Sequence, residues 1–233
     1  MICGIAGLRV KLNNRFAYTS RLCGNYAVSG DEFDVEATVT DAEIEAEKSL
    51  SVGCSDGYAE NICLYRSLCN RLPLFDRFLL HSSVLTYDGE AYAFSGKSGA
   101  GKSTHSALWL KYVEGAEVLN GDKPIFWDND GEFIAFGTPW NGKENMGRKG
   151  SAPLKAICFI EKAETNKIER LNERETASRL FNQILIPDGE KEAVKTLELV
   201  DKFIKKVPAY VLYCDISKTA VKTSFEALTG KNF

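Results

Sequence analysis

Residues 96 to 104 read Gly-Lys-Ser-Gly-Ala-Gly-Lys-Ser-Thr, and they match the pattern Gly-x-x-x-x-Gly-Lys-[Ser/Thr]. A strand-like run ends just before this stretch, and a helical pattern begins near Lys102. The glycines at Gly96, Gly99 and Gly101 let the backbone curl so that its N–H groups point inward, and the helix start adds the positive end of its dipole. The stretch therefore predicts a phosphate-binding loop (P-loop) between a strand and a helix.

The same pattern predicts what each residue of the loop binds. Lys102 is expected to bridge the β- and γ-phosphates of a nucleoside triphosphate, and Ser103 to complete the shell of the Mg²⁺ that the triphosphate brings. Thr104 is expected to contact the α-phosphate. The predicted ATP-binding residues are Gly96, Lys97, Ser98, Gly99, Ala100, Gly101, Lys102, Ser103 and Thr104.

A P-loop protein also needs an acidic residue that holds the metal from a neighbouring strand. Asp122 follows the short apolar run at 117–120, which reads as the next strand. We therefore predict that Ser103 and Asp122 are the metal ligands. The alternative is that Asp122 is only a turn residue at a Gly-Asp corner.

Composition limits the classes of protein to consider. The 233-residue chain is 44% hydrophobic, which is ample for a buried core. Its formal net charge is −3, from 29 basic and 32 acidic residues that are interspersed, so it offers no basic block for nucleic acid. The seven cysteines lack zinc-ligand spacing and read as reduced thiols. With neither a signal-like nor a membrane-length apolar run, we expect a cytoplasmic protein without a membrane partner.

Hydrophobic periodicity predicts an α/β core with a mixed, partly antiparallel sheet. Asp88-Gly89 predicts a tight hairpin before the loop, and Asn172 with Glu175 predicts a helix capping box. We expect one domain over 1–233. Residues 1–75 have a less regular pattern of apolar residues than the rest and could form a subdomain. Strands are predicted at 2–10, 33–39, 82–87, 91–94, 116–119, 154–160 and 209–214, and the first two are expected at the edge of a larger structure. A hairpin is predicted over 123–137. Helices are predicted at 57–72, 103–112, 190–206 and 217–228, and one more begins at 172.

The order of these features resembles the kinase fold of HPr kinase/phosphorylase and ATP-dependent phosphoenolpyruvate carboxykinase. The loop carries the core Ser-Gly-x-Gly-Lys and is entered from a hairpin. His81 stands ahead of the loop as a histidine does in HPr kinase, and the stretch 120–123 falls where those families carry an Asp-Asp pair. The segments 137–144 and 152–156 are similar to small bacterial HPr-kinase-related proteins. The fold that the resemblance implies is a P-loop kinase core of HPr kinase/phosphoenolpyruvate carboxykinase type.

The resemblance also implies site roles, with one departure. Lys102, Asp122 and His81 become the expected catalytic residues, His81 orienting either Asp122 or the acceptor hydroxyl. In HPr kinase the first aspartate of the pair is taken to be the general base, and here that position is Gly121. Either Asp122 does both jobs, or the base lies elsewhere, or the acceptor needs none.

The function that these expectations describe is a Mg-ATP-dependent kinase. Its acceptor would be a hydroxyl of a small metabolite or of a peptide or protein serine, and the polar stretch 140–149 suits an acceptor-binding loop or lid. The alternative, favoured by Gly121, is a nucleotide-binding regulatory or assembly module with little or no turnover. Family analogy makes a homo-oligomer plausible.

Overall fold

The computed structural model describes residues 1–50 and 53–233, which divide into two compact units. Unit 1 comprises Met1–Phe75 and Ile186–Thr196. Unit 2 comprises Asp76–Leu185 and Leu197–Phe233.

Unit 1 combines a three-stranded sheet with helices. Strand β1 pairs antiparallel with β2, and β2 pairs parallel with β3. Along β1 and β2 every second residue is buried, as expected for strands with one face on a core. The strands and helices are β1 (Ile2–Ile5), β2 (Leu8–Leu12), α1 (Ala17–Leu22), β3 (Val35–Ala37), α2 (Asp41–Leu50) and α3 (Asp56–Arg71).

The expectation for the first strands was wrong in two respects. The run 2–10 is a hairpin of two strands, because the chain reverses at Ala6 and Gly7, which have φ values of 50° and 76°. These strands and β3 form a sheet of their own and do not join the larger sheet of unit 2.

Unit 2 is an α/β assembly built on a curled mixed sheet that, within the described residues, has nine strands. Neighbouring strands follow the order β4-β8-β9-β10-β6-β5-β7, and β12 pairs with both β10 and β11. The elements are β4 (Arg77–Leu79), β5 (Ser82–Tyr87), β6 (Glu90–Ser95), α4 (Lys102–Tyr112), β7 (Glu117–Asn120), β8 (Ile125–Asn129), β9 (Glu132–Phe136), β10 (Ser151–Lys162), β11 (Lys167–Arg170), α5 (Glu173–Leu180), α6 (Glu190–Lys206, whose residues from Leu197 onward belong to this unit), β12 (Ala209–Cys214) and α7 (Lys218–Thr229).

Alternate side chains of the central strands belong to two different apolar clusters. Along β10, Ile157 and Phe159 belong to one cluster, to which α6 contributes Phe203. Cys158 belongs to the other cluster, to which α4 contributes Trp109 and α7 contributes further side chains. The strand period of two thus gives the sheet two apolar faces, each covered by helices.

Strand directions bring several chain segments to one edge of this sheet. Strands β6 and β7 run parallel, because each pairs antiparallel with β5, and β10 is parallel to β6. The carboxyl ends of β6, β7 and β10 therefore meet at the edge where β5 begins. Four segments lie there, namely the predicted phosphate-binding loop after β6 (called the P-loop from here on), the Asp122 corner after β7, the end of β10, and His81 before β5.

Most of the other predicted elements are confirmed. The hairpin of β5 and β6 turns at Asp88 and Gly89, with φ values of 50° and 79°, and α5 begins with the capping box of Asn172 and Glu175. All seven cysteines lie in the described residues, and none of them forms a disulfide there. Helices α1 and α2 and strands β4 and β11 were not predicted. Among the described residues, no helix has the length and apolarity needed to cross a membrane.

Candidate functional site

The P-loop leaves β6 at Ser95 and turns into α4 on its glycines. Gly96, Gly99 and Gly101 have φ values of 146°, 77° and 109°, which side chains strongly disfavour. A Cβ on Gly96 would lie 3.0 Å from the carbonyl oxygen of Ile160 on the neighbouring strand. Gly96 thus satisfies two constraints, a positive φ and a close approach to β10.

Lys102, the first residue of α4, reaches back over the loop. Its Nζ donates a hydrogen bond to the carbonyl oxygen of Gly96 at 3.1 Å. Burial lowers the pKa of Lys102, and the negative charge of Asp122 opposes this shift. The ammonium group is therefore partly desolvated and oriented toward the loop's concavity, as a phosphate-binding lysine would be.

The first turn of α4 is open to solvent. Ser103 and Thr104 are exposed, and α4 has neither a side-chain cap nor an acidic residue in its first turn. In the described part of the chain, the Ser103 hydroxyl has no hydrogen-bond partner. The positive end of the helix dipole thus faces the loop without an internal anion.

His81 and Asp122 lie together at the same sheet edge. The Nε2 atom of His81 is 2.9 Å from Oδ1 of Asp122, and Nζ of Lys123 is 3.3 Å from Oδ2. Burial raises the pKa of Asp122, but the hydrogen bond from His81 and the charge of Lys123 outweigh it and lower the pKa overall. Asp122 is therefore a carboxylate at neutral pH, held by two basic neighbours.

Asn120, at the end of β7, fixes the corner that carries Asp122. Its Oδ1 accepts from the backbone N–H groups of Asp122 and Lys123 at 2.9 and 2.7 Å. Its Nδ2 lies within hydrogen-bonding distance of Thr138 Oγ1 and Asn141 Oδ1, each at 3.0 Å. Asn120 and Thr138 are fully buried, and this network was not foreseen from the sequence.

Gly121 sits against the backbone of the loop that follows β9. A Cβ at this position would lie 2.8 Å from the carbonyl oxygen of Asn141 and 3.0 Å from that of Met146. The same loop approaches Asp122, because a Cβ on Gly142 would lie 2.9 Å from Cβ of Asp122. The space beside Gly121 is thus filled by main chain, and no carboxylate stands there.

The second histidine has no place in this site. His105 is buried beneath α4, with Nε2 at 2.9 Å from Oγ of Ser224, while its Nδ1 has no hydrogen-bond partner in the described residues. Burial lowers the pKa of His105 to about 4. It is a neutral core residue.

A cavity of about 830 Å³ opens beside the P-loop. The first half of the loop forms one wall, the end of β10 forms another, and α5 with the residues after it forms the third. Sequence reasoning placed the acceptor near 140–149 and gave α5 no functional role. The lining residues are Gly96, Lys97, Ser98, Gly99, Ala100, Phe159, Ile160, Glu161, Lys162, Arg174, Glu175, Ser178, Arg179, Asn182 and Gln183.

The described residues contain no group of three or more His, Cys, Asp or Glu side chains that could hold a metal ion on its own. Mg²⁺ bound with a triphosphate does not need such a group, because phosphate oxygens and water supply most of its ligands. The hydroxyl of Ser103 and the carboxylate of Asp122 are the donors of the right chemistry at this edge.

Comparison with known proteins gives a distant structural relationship. No family model and no curated protein matches the chain. Among solved structures, the Hpr(Ser) kinase/phosphatase from Coxiella burnetii is similar over 65% of this chain and 93% of that chain, with 10% sequence identity and a TM-score of 0.38. A likeness at this level says nothing of substrate, so the functional argument rests on the site itself.

Proposed function

We propose that the protein is a Mg-ATP-dependent kinase that transfers the γ-phosphoryl group to a hydroxyl. The observation that carries the proposal is the position of Lys102 at the sheet edge that also holds the His81–Asp122 pair. Within residues 1–50 and 53–233, its half-buried ammonium group is bonded to a loop carbonyl and to no carboxylate. Partial desolvation disfavours the charged form, and a bound anion would compensate this cost.

The loop backbone has the shape that a phosphate requires. A Cβ built on Gly99 or Gly101 meets nothing within 4 Å, so the space beside these residues is open. Helix α4 begins at Lys102 without a side-chain cap, so its first-turn N–H groups are available to an anion, and the Lys102 ammonium is held at the loop by Gly96. These features support binding of the β- and γ-phosphates there.

Mg²⁺, when bound with the nucleotide, would neutralise charge on the β- and γ-phosphate oxygens. Ser103 and Asp122 are the residues that would hold it. His81 and Lys123 keep Asp122 ionised and fixed in orientation, which suits either a metal ligand or an acceptor for a hydroxyl proton.

Transfer needs little covalent help from the protein, because positioning and charge neutralisation supply most of the rate. The acceptor oxygen bonds to the γ-phosphorus while the bond from that phosphorus to the β,γ-bridging oxygen breaks, which leaves ADP. The hydroxyl proton passes to the Asp122 carboxylate and then to solvent. Lys102 offsets the negative charge that moves onto the bridging oxygen.

A nucleotide-binding regulatory module is the second candidate. It is favoured by Gly121, where main-chain carbonyls occupy the place of a second carboxylate. Such a protein would bind Mg-ATP tightly and transfer no phosphate to any acceptor.

The test is transfer of labelled phosphate, with ADP release, to a pool of metabolites and seryl peptides. We would compare the wild type with Lys102→Ala and Asp122→Asn. Lys111→Ala on the exposed face of α4 and Asp130→Asn in an exposed turn are matched controls for the charge changes. Transfer that both site variants abolish and both controls retain is the expected result. Mg-ATP binding without transfer in folded wild-type protein would favour the regulatory module.

A further inference from the structure

We propose that the cavity beside the P-loop binds the phosphoryl acceptor, and that this acceptor is a small hydroxyl-bearing molecule with a carboxylate or phosphate group. The inference rests on the proposed kinase function and names its second substrate. Four observations carry it, namely the place of the cavity, its charge, one amide on its wall and the backbone bond that joins this residue to His81.

The cavity lies on the side of the loop where the terminal phosphate is expected. Its lining includes the first half of the loop, Gly96–Ala100, and no residue of the first turn of α4. In the proposed arrangement Thr104 contacts the α-phosphate, so the nucleoside extends from the α4 side. A molecule in the cavity would therefore face the γ-phosphate, as an in-line acceptor must.

The charge of the cavity favours an anion. Four basic and two acidic side chains line it, and the two carboxylates are already engaged. Glu161 pairs with Arg179, and Glu175 accepts from the backbone N–H of Asn172 in the capping box. By contrast, the side chains of Lys162 and Arg174 have no hydrogen-bond or ion-pair partner in the described residues. Two free cations opposite the loop can bind a carboxylate or a phosphate.

Gln183 supplies an independent indication of a ligand. Its residue is 9% exposed and lines the cavity, and its side-chain amide has no hydrogen-bond partner in the described chain. The amide keeps contact with solvent at the cavity wall, so its donors and its acceptor are available to a ligand. A hydroxyl or carboxylate of a bound molecule would satisfy it.

Gln183 also joins the cavity to the His81–Asp122 pair. Its carbonyl oxygen accepts from the backbone N–H of His81 at 2.8 Å, and Leu80 and Ile184 form a β-bridge beside this bond. Gln183 therefore connects the cavity wall to the backbone of His81, while the His81 and Asp122 side chains lie outside the cavity lining. The cavity volume is also in the range of metabolite sites.

The experiment measures binding by calorimetry to the full chain with Mg-ADP present. The probes are a panel of hydroxycarboxylates such as glycerate, a panel of phosphorylated polyols such as glycerol phosphate, and the matched uncharged polyols. We expect one charged panel to contain a compound that binds at least about tenfold more tightly than its uncharged partner. Which panel contains it distinguishes a carboxylate from a phosphate acceptor.

Three variants and one control assign that binding to the cavity. Arg174→Gln, Lys162→Gln and Gln183→Met should each weaken the charged probe by about tenfold, whereas Arg170→Gln on exposed strand β11 makes the same charge change outside the cavity and should not. Thermal unfolding of each variant checks that weaker binding does not come from a loss of folding.

Several results would overturn the inference. They are equal binding of charged and uncharged probes, binding that the three variants leave unchanged, preference for seryl peptides over every small probe, and a loss of Mg-ATP affinity in Arg174→Gln. The last would assign the cavity to the nucleotide. Failure of Mg-ATP to bind the wild type is a separate result that counts against the kinase itself.

Discussion

The imidazole of His81 lies 2.9 Å from the carboxylate of Asp122, and strand pairing explains why two residues so distant in sequence meet. Val84 of β5 pairs with Asn120 of β7, and the backbone N–H of Ser82 donates to the carbonyl oxygen of Asp122 at 3.2 Å. The residue before β5 and the residue after β7 are thereby brought to one point. The contact keeps Asp122 ionised despite its partial burial.

Removing the imidazole should shift the acid limb of the activity profile. In His81→Leu the pKa of Asp122 should rise, because a hydrogen bond to the ionised form is lost while burial still favours the neutral form. Activity that requires the carboxylate would then be lost at a higher pH as the solution is acidified. The pH profile of kcat and a carboxyl NMR titration of Asp122 measure the shift. His81→Gln, which keeps a donor, should shift less, and an unmoved carboxyl titration in His81→Leu would contradict the assigned role of His81.

Filling the space at Gly121 should displace the loop that packs on it. In Gly121→Ala the new Cβ meets two carbonyl oxygens at 3.0 Å or less, so we expect a loss of about 1–3 kcal/mol in the free energy of unfolding. Gly24→Ala is the matched control, since its Cβ meets nothing within 4 Å. Urea unfolding of both variants checks this, and equal stability would show that the loop yields easily.

The reason for a glycine at position 121 could not be predicted from the sequence. The sequence alone identified Gly121 as a departure from the kinases that it resembles, but the reason lies in Asn141 and Met146, which approach it only in the folded chain. The Asp88-Gly89 turn was predictable because its positive φ values are a local property of those two residues. The tight turns at Gly96, Gly99 and Gly101 were predictable for the same reason, whereas phosphate binding by this loop stays a prediction.

The elements that were missed lack a local signal. Strand β4 has three residues and exists through its pairing with β8, and β11 is a largely exposed strand of polar residues. Helix α2 buries only Ile44 and Glu47, so its apolar stripe is too narrow to detect. The cavity wall formed by α5 was missed although α5 itself was predicted, since nothing local joins Arg174 to the P-loop.

Asn120 should be indispensable for the geometry of the Asp122 corner. Asn120→Asp keeps the acceptor for two backbone N–H groups but loses the amide donor and buries a charge beside Thr138 and Asn141. We expect a loss of about 2–4 kcal/mol in unfolding free energy together with lost phosphoryl transfer. Asn129→Asp, at the β8 turn, is the matched control. Unfolding curves and transfer assays of the two variants should differ clearly, and similar behaviour would exclude a positioning role for Asn120.

The buried imidazole of His105 should make stability depend on pH. Burial lowers its pKa from 6.5 to about 4, so the unfolded chain binds a proton that the folded protein rejects between these two values. Its stabilising contribution is complete above pH 6.5 and is lost as the pH falls toward 4. At about 1.4 kcal/mol per pKa unit, the loss approaches roughly 3 kcal/mol.

A comparison of variants isolates this contribution from that of other titrating groups. In His105→Phe, urea unfolding between pH 7 and 4.5 should show a flatter fall in stability than in the wild type, because phenylalanine binds no proton and its ring can pack against Phe94 as the imidazole does. Ser224→Ala removes the hydrogen-bond partner of Nε2 but keeps the buried histidine, so it should lose stability at every pH and keep the wild-type slope. Equal slopes of stability against pH for the wild type and His105→Phe would mean that His105 binds a proton in the folded protein as readily as in the unfolded chain. Another group would then have to explain any loss of stability in acid.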